Sequence, residues 1–221
     1  MRPKGTHSGT SCEGSAQAGL IEKLQVLPGY SQELGLDLRR AQDRFKWFLA
    51  SILFAKRISA RIAAATFRQF ENQGVTTPQA VIAAGWDKLV EILDAGGYVR
   101  YDFSTASNLL EAMTKLVRDY GSLEGLYDRA ADSHDLEERF QGLKGVGPVA
   151  VNIFLRELRA VWPKANPPPS PLATGLARKL GLAGSALMLP GLESALVRVC
   201  LDYCKRRKCP ECPIRDDCRP S

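Results

Sequence analysis

The chain has no long apolar run. The longest, WFLASILFA from Trp47 to Ala55, is far shorter than the roughly 20 residues that a membrane-spanning helix needs. The N-terminus begins with MRPK and continues with small and polar residues, so it lacks the apolar stretch of a secretory signal. From these absences we expect a chain without a membrane anchor or a signal peptide, and therefore a cytoplasmic protein.

Signals for β-strands are scarce. Apolar residues recur at helical spacing instead, and capping residues such as Ser59 and Thr77 precede several of these stretches. We therefore expect an all-α fold without a repeat of fixed period. The predicted helices cover residues 38–57, 60–74, a stretch from 77, 86–93, 101–120, 123–131, 136–143, 149–162, 172–182 and 192–204.

A proline-rich segment, PKANPPPSP from Pro163 to Pro171, predicts the boundary between two lobes. Residues 1–18 are rich in Ser, Gly and Thr, which predicts a disordered tail with Cys12 as an unligated thiol. One lobe is then expected over 40–162, and the second over 19–39 plus 163–221.

Five of the six cysteines lie close together near the C-terminus, which indicates a metal site in a reducing compartment. Cys204, Cys209, Cys212 and Cys218 have the spacing C-x4-C-x2-C-x5-C, with Cys200 one helical turn earlier. Zinc and an iron-sulfur cluster each accept four thiolates, so spacing alone leaves both open.

The formal charge of +6 and the pI near 9.1 favour a polyanionic partner. Four consecutive basic residues, Lys205, Arg206, Arg207 and Lys208, lie between two of the predicted metal ligands. Such a run is often only a solvated chain end. Here the flanking ligands would fix its charges in place, which favours contact with a phosphate backbone.

The segment 141–155, QGLKGVGPVAVNIFL, predicts a helix, a tight hairpin and a second helix. Gly145 and Gly147 permit backbone angles that other residues resist, and Pro148 suits the first turn of a helix. Backbone N–H groups of such a hairpin, next to a helix N-terminus, suit a phosphate oxygen. The alternative is an ordinary turn between two helices.

The hairpin and the cysteine tail together resemble the helix-hairpin-helix DNA glycosylases of the endonuclease III superfamily. Their hairpin reads L-x-G-V-G, and their tail, C-x6-C-x2-C-x5-C, holds a 4Fe-4S cluster. The first interval is two residues shorter here, so Cys200 is the alternative to Cys204 as first ligand. The resemblance covers about 38–218 and implies a two-lobe glycosylase fold, a 4Fe-4S cofactor with zinc as the alternative, and double-stranded DNA as partner. It implies DNA contacts by Lys144, Gly145, Val146, Gly147 and the basic run.

The same resemblance implies a base flipped from the duplex into a cleft between lobes. The position of the family's catalytic Lys holds Val149, so a Lys-dependent lyase at that position is excluded. The position of its catalytic Asp holds Ser170, which cannot supply the negative charge that steadies the sugar as the base departs. By analogy, Lys56, Tyr101 and Asp102 lie near the cleft and are candidate catalytic groups. Lys56 is otherwise a phosphate-binding or solvated lysine, and Asp102 a helix cap.

Two hypotheses follow. The first is a divergent DNA glycosylase of the base-excision-repair type that removes a damaged or modified base, acting as a monomer at the nucleoid if the cell is prokaryotic. The second is a catalytically silent DNA-binding module that kept the docking surface. A zinc-stabilised binding protein differs from these only in its metal.

Overall fold

A computed structural model describes the backbone of residues 10–218 and the side chains of residues 17–218. All regular structure in this part of the chain is helical, which confirms the all-α prediction. None of the helices within it combines the length and the apolar character needed to cross a membrane.

Eleven α-helices are found over residues 10–218. They are α1 (Thr10–Gln25), α2 (Tyr30–Glu33), α3 (Ala41–Phe54), α4 (Ala60–Asn72), α5 (Pro78–Ala95), α6 (Asp102–Tyr120), α7 (Leu123–Arg129), α8 (Ser133–Gln141), α9 (Pro148–Arg156), α10 (Pro171–Lys179) and α11 (Leu192–Arg198). A π-helical segment, Val199–Cys204, continues α11. The 3-10 turns are Gly184–Met188, Cys209–Glu211 and Arg215–Asp217.

The chain divides into two compact units. The larger is Tyr30–Pro168, and the smaller combines Met1–Gly29 with Pro169–Ser221. The division falls inside the proline-rich segment, but the larger unit extends beyond the expected 40–162 on both sides. At its start, the N–H groups of Tyr30 and Ser31 donate to the carboxylate of Glu157 at 3.2 and 3.1 Å, which ties this segment to the larger unit.

The larger unit is built around α3. Phe48 on α3 is completely buried, and its ring lies 5.3 Å from that of Phe140 on α8 and 5.2 Å from that of Phe154 on α9. The neighbouring Trp47 donates its Nε1 hydrogen to the Phe154 carbonyl at 3.2 Å. Both helices that flank the hairpin are therefore fixed to the central helix by buried aromatic contacts.

Local sequence signals account for several helix ends. Ser59 Oγ accepts from the Ile62 N–H at 3.2 Å, and Thr77 Oγ1 accepts from the Ala80 N–H at 3.1 Å, as predicted for N-caps. Helix α5 is kinked at Gly85, whose φ of 72° and ψ of 174° are not helical. The kink explains why the sequence indicates two helices here, the second from residue 86.

Helix α9 ends at Arg156, short of the predicted end at residue 162. The chain then turns, and the Trp162 N–H donates to the Leu158 carbonyl at 2.8 Å. Trp162 is buried and stacks on Tyr127 with ring centroids 4.4 Å apart. The apolar spacing that led us to predict a helix as far as residue 162 thus reflects a buried turn after Arg156 rather than a longer helix.

The smaller unit packs α1, α10 and α11 around their apolar faces, with Leu20 and Leu24 of α1 buried. Helix α1 begins at Thr10, inside the segment 1–18 for which the composition predicts disorder. Residues 1–9 and the side chain of Cys12 lie outside the described residues. The composition hides this helix because small and polar residues fill its first eight positions, whereas the buried Leu20 and Leu24 lie in its second half.

Candidate nucleic-acid interface and cysteine cluster

The hairpin between α8 and α9 exposes its backbone while its apolar side chains point inward. Leu143 is 1% exposed and Val146 is 3% exposed, and the Val146 N–H donates to the Leu143 carbonyl at 3.1 Å. Within residues 10–218, the N–H groups of Gly145 and Gly147 donate to no acceptor of the protein. Buried anchors therefore hold two free N–H groups at the surface, beside the first turn of α9.

The two glycines serve different purposes. Gly145 has a φ of 76°, and a Cβ added there would lie 2.7 Å from Cβ of Asn108 on α6. Gly147 has an ordinary φ of −93°, and a Cβ there would meet nothing within 4 Å. Gly145 is thus required for the hairpin to pack on α6, whereas Gly147 leaves open space in front of its backbone.

A groove of about 520 Å³ runs beside the hairpin. Its lining includes three cations, Lys115 and Arg118 from α6 and Lys144 from the hairpin. Lys115 and Arg118 both contact the carboxylate of Asp119, at 3.0 and 2.6 Å. Hydrogen bonds from Arg118 and then Lys115 hold the pKa of Asp119 well below its ordinary value. Lys144 is exposed and precedes Gly145, so its charge lies next to the free N–H groups.

The two positions that the resemblance to the glycosylases assigns to catalytic residues hold Val149 and Ser170. Val149 lies in the first turn of α9 with 58% of its surface exposed. Ser170 is the N-cap of α10, where its Oγ accepts from the Ala173 N–H at 3.4 Å. Its own N–H donates at 2.8 Å to the carboxylate of Glu193, which is 1% exposed. Sequence reasoning missed this buried carboxylate because α11 offered no signal that linked it to residue 170.

Lys56 and the segment around residue 100 meet at one carbonyl group. The Leu53 carbonyl accepts from the Lys56 N–H at 3.4 Å and from the Tyr98 hydroxyl at 2.9 Å. Tyr98 is fully buried, and burial followed by the proximity of Tyr101 raises its pKa above the ordinary value. The Tyr101 ring lies 6.2 Å from that of Tyr98 and is half-buried, as is Lys56.

Asp102 is the first residue of α6, and its carboxylate accepts from the Phe103 N–H at 2.7 Å. The N-cap position is Tyr101, without a side-chain capping hydrogen bond, so the capping role considered for Asp102 is not found. Asp102 also hydrogen-bonds to Asp94, which precedes the glycine turn after α5. Burial, and then this contact with a second acid, raise the pKa of Asp94 above its ordinary value. No sequence pattern indicated the Asp94 contact, since a glycine turn separates the two acids along the chain.

The cysteines of the tail are all free thiols: Cys200, Cys204, Cys209, Cys212 and Cys218. Burial raises the pKa of Cys204 most, and the other four thiols raise it further through their proximity. The side chains that the sequence nominates as ligands are thus thiols only, which is the donor chemistry of a thiolate-bound metal. Over the described residues, no three Cys, His, Asp or Glu side chains are arranged closely enough to hold an ion.

The basic run lies between Cys204 and Cys209 and is tied to the π-helical segment by its backbone. Three hydrogen bonds of 2.9 to 3.1 Å do this: Lys205 N–H to Cys200 C=O, Arg207 N–H to Cys204 C=O, and Lys208 N–H to Tyr203 C=O. The four basic side chains are exposed. Local backbone bonds therefore order the run, in addition to whatever the cysteines contribute.

Two of the four charges are partly neutralised by neighbours. Arg206 lies 3.8 Å from Asp202, and Lys208 lies 3.1 Å from Glu211. Lys205 and Arg207 form no ion pair with any residue of the described chain. These two cations are consequently the ones most available to an external anion.

Comparison of the chain with models of known protein families and with curated proteins gave no match.

Proposed function

We propose that this chain is a DNA-binding protein of the helix-hairpin-helix glycosylase type. The observation that carries the proposal is the pair of unbonded N–H groups at Gly145 and Gly147, held at the surface by the buried Leu143 and Val146. Two such donors next to the start of a helix suit the oxygens of one DNA phosphate. Lys144 adds a positive charge at the same place.

The basic run supplies a second phosphate contact, on the smaller unit. Lys205 and Arg207 are its principal contributors because no carboxylate of the described chain neutralises them. Contacts of both kinds bind the sugar-phosphate backbone without reading the sequence, so the protein is expected to bind duplex DNA of any sequence.

Neutralising the two free cations tests this role. Replacing Lys205 and Arg207 by Gln should make the plot of log K against log salt concentration less steep by about 2, because each neutralised phosphate contributes roughly 0.9 to the slope. The measurement is fluorescence anisotropy of a labelled duplex at several salt concentrations. Replacing Arg39 and Arg40 by Gln is the matched control, because both are exposed and pair with Asp37. An equal effect of both double variants would show that only net charge matters.

Cys204, Cys209, Cys212 and Cys218 would hold a 4Fe-4S cluster, and Cys200 is the alternative first ligand. The thiol-only donor set and its spacing in the sequence support this assignment. A bound cluster would supply structural support for the adjacent basic run. Anaerobically purified protein should be brown with broad visible absorbance. Colourless protein that contains stoichiometric zinc would show instead that the bound metal is zinc.

Two activities fit this binding surface. The first is removal of a damaged or modified base, with Lys56, Tyr101 or Asp102 near the reacting sugar. The second, a silent DNA-binding module, is favoured by Val149 and by the capping role of Ser170 at the two expected catalytic positions. A panel of duplexes with different lesions separates them. Base release supports the glycosylase, and a borohydride-trapped adduct that Lys56→Ala abolishes would identify Lys56 as its nucleophile.

A further inference from the structure

Two aromatic side chains of the larger unit lie at the surface in contact with each other. Trp86 is 39% exposed and Phe103 is 59% exposed, and their ring centroids are 5.4 Å apart with planes inclined by 33°. The other two tryptophans, Trp47 and Trp162, are buried at 0% and 5% exposure. Exposed aromatic faces of this size add little to the core, so their position calls for another explanation.

Hydrogen bonds hold the pair in place. Trp86 Nε1 donates to Ser107 Oγ at 3.0 Å, and the Ser107 hydroxyl donates to the Phe103 carbonyl at 3.0 Å. The indole has only one polar group, and this contact satisfies it. What remains exposed is therefore apolar ring surface in a fixed orientation, suited to stacking rather than to hydrogen bonding.

The pair and the hairpin both contact α6. Ser107, which holds Trp86, is followed by Asn108, whose side chain lies against Gly145. Phe103 precedes Asn108 by five residues on the same helix, which is roughly 7.5 Å along the axis and about 140° around it. A DNA strand held by its phosphate at the hairpin would therefore pass around α6 to place a base on the aromatic pair.

The charges around the pair favour a base over a phosphate. Asp87 follows Trp86 and Asp102 precedes Phe103, so each ring belongs to a residue whose immediate neighbour in the sequence carries a negative charge. Arg100 is the nearest cation in sequence to Phe103, and its guanidinium lies 5.5 Å from the centre of the Tyr101 ring. A nucleobase is neutral and has an aromatic face, and each of the four bases can stack on an aromatic side chain.

We propose that Trp86 and Phe103 form a stacking platform for an unpaired nucleobase of DNA bound at the hairpin. The proposal rests on the DNA binding proposed above and adds to it a preference for DNA that contains an unpaired nucleotide. Bases inside a duplex are stacked and paired, so only a bulged, mismatched or single-stranded nucleotide has a free face to offer. DNA with such a nucleotide should therefore bind more tightly than a fully paired duplex.

The test compares a fully paired duplex with the same duplex carrying one bulged nucleotide. Wild-type protein should bind the bulged DNA about tenfold more tightly. Phe103→Ala should remove that preference and leave the affinity for paired duplex unchanged, and Phe103→Tyr should retain it. Val26→Ala is the control, since Val26 is an exposed apolar residue of the smaller unit. Quenching of the Trp86 fluorescence by bulged DNA, measured in the same titration, should follow the same order.

The outcomes are separable. Protein that binds no DNA at all would overturn both the proposed function and the platform. Protein that binds paired and bulged DNA equally would overturn the platform alone. Loss of affinity for both DNAs in Phe103→Ala, with unchanged thermal stability, would also overturn it, because the residue would then act on backbone binding rather than on a base.

Discussion

The two hairpin glycines allow fold and binding to be separated. In Gly147→Ala the new methyl group meets nothing within 4 Å, and the backbone angles are ordinary for alanine. Loss of a glycine restricts the unfolded chain, so the free energy of unfolding should stay unchanged or rise by about 0.4–1 kcal/mol. The methyl group would nevertheless occupy the open space that we assign to a phosphate. DNA affinity should therefore fall about tenfold, which corresponds to roughly 1.4 kcal/mol.

Gly145→Ala should have the opposite signature. A left-handed φ of 76° costs an L-residue about 1–2 kcal/mol, and the new Cβ would in addition lie 2.7 to 2.8 Å from three side-chain atoms of Asn108. Gly121→Ala is the matched control, because its φ is 78° but nothing lies within 4 Å of the added Cβ. Gly145→Ala should lose more stability than Gly121→Ala, and the difference measures the contact with Asn108.

Urea unfolding followed by circular dichroism gives the stabilities, and fluorescence anisotropy with a labelled duplex gives the affinities. Wild-type affinity in a stably folded Gly147→Ala protein would refute the hairpin as a phosphate site. Equal stabilities of Gly145→Ala and Gly121→Ala would refute the packing of the hairpin against α6.

Two further predictions concern carboxylates of the larger unit. Asp135 accepts from the Ala131 N–H at 2.7 Å and from Arg139 at 2.9 Å, and these contacts, the backbone one first, lower its pKa below the ordinary value of 3.8. The stability it contributes is present above that value and is lost as the pH falls through the lower native pKa, so Asp135→Asn should lower the melting temperature at neutral pH but not in strong acid. Asp119→Asn releases Lys115 and Arg118 into the groove beside the hairpin and should tighten duplex binding about threefold at low salt; weaker or unchanged binding would place this groove outside the DNA contact.

The parts of the fold that local chemistry determines were predictable from the sequence. Ser59 and Thr77 mark helix starts because each hydroxyl satisfies a backbone N–H three residues later. The hairpin was predictable for a related reason, since Gly145 adopts the positive φ that a tight turn between helices requires. Long-range contacts then fixed these elements in place without changing them.

Features that depend on distant residues were not predictable. The pairing of Glu193 with the Ser170 N–H, and that of Asp94 with Asp102, join different elements without a periodic signal. Asn108 gains its role only because the hairpin folds against α6. The end of α9 was misplaced because the buried Trp162 keeps apolar spacing through a turn.

The most direct measurement of phosphate binding at the hairpin is a titration of isotope-labelled protein with duplex DNA, followed by the backbone amide resonances. The N–H signals of Gly145 and Gly147 should shift strongly and saturate with the same dissociation constant as the anisotropy. Binding that leaves the Gly145 and Gly147 resonances in place would contradict a phosphate site at these two glycines.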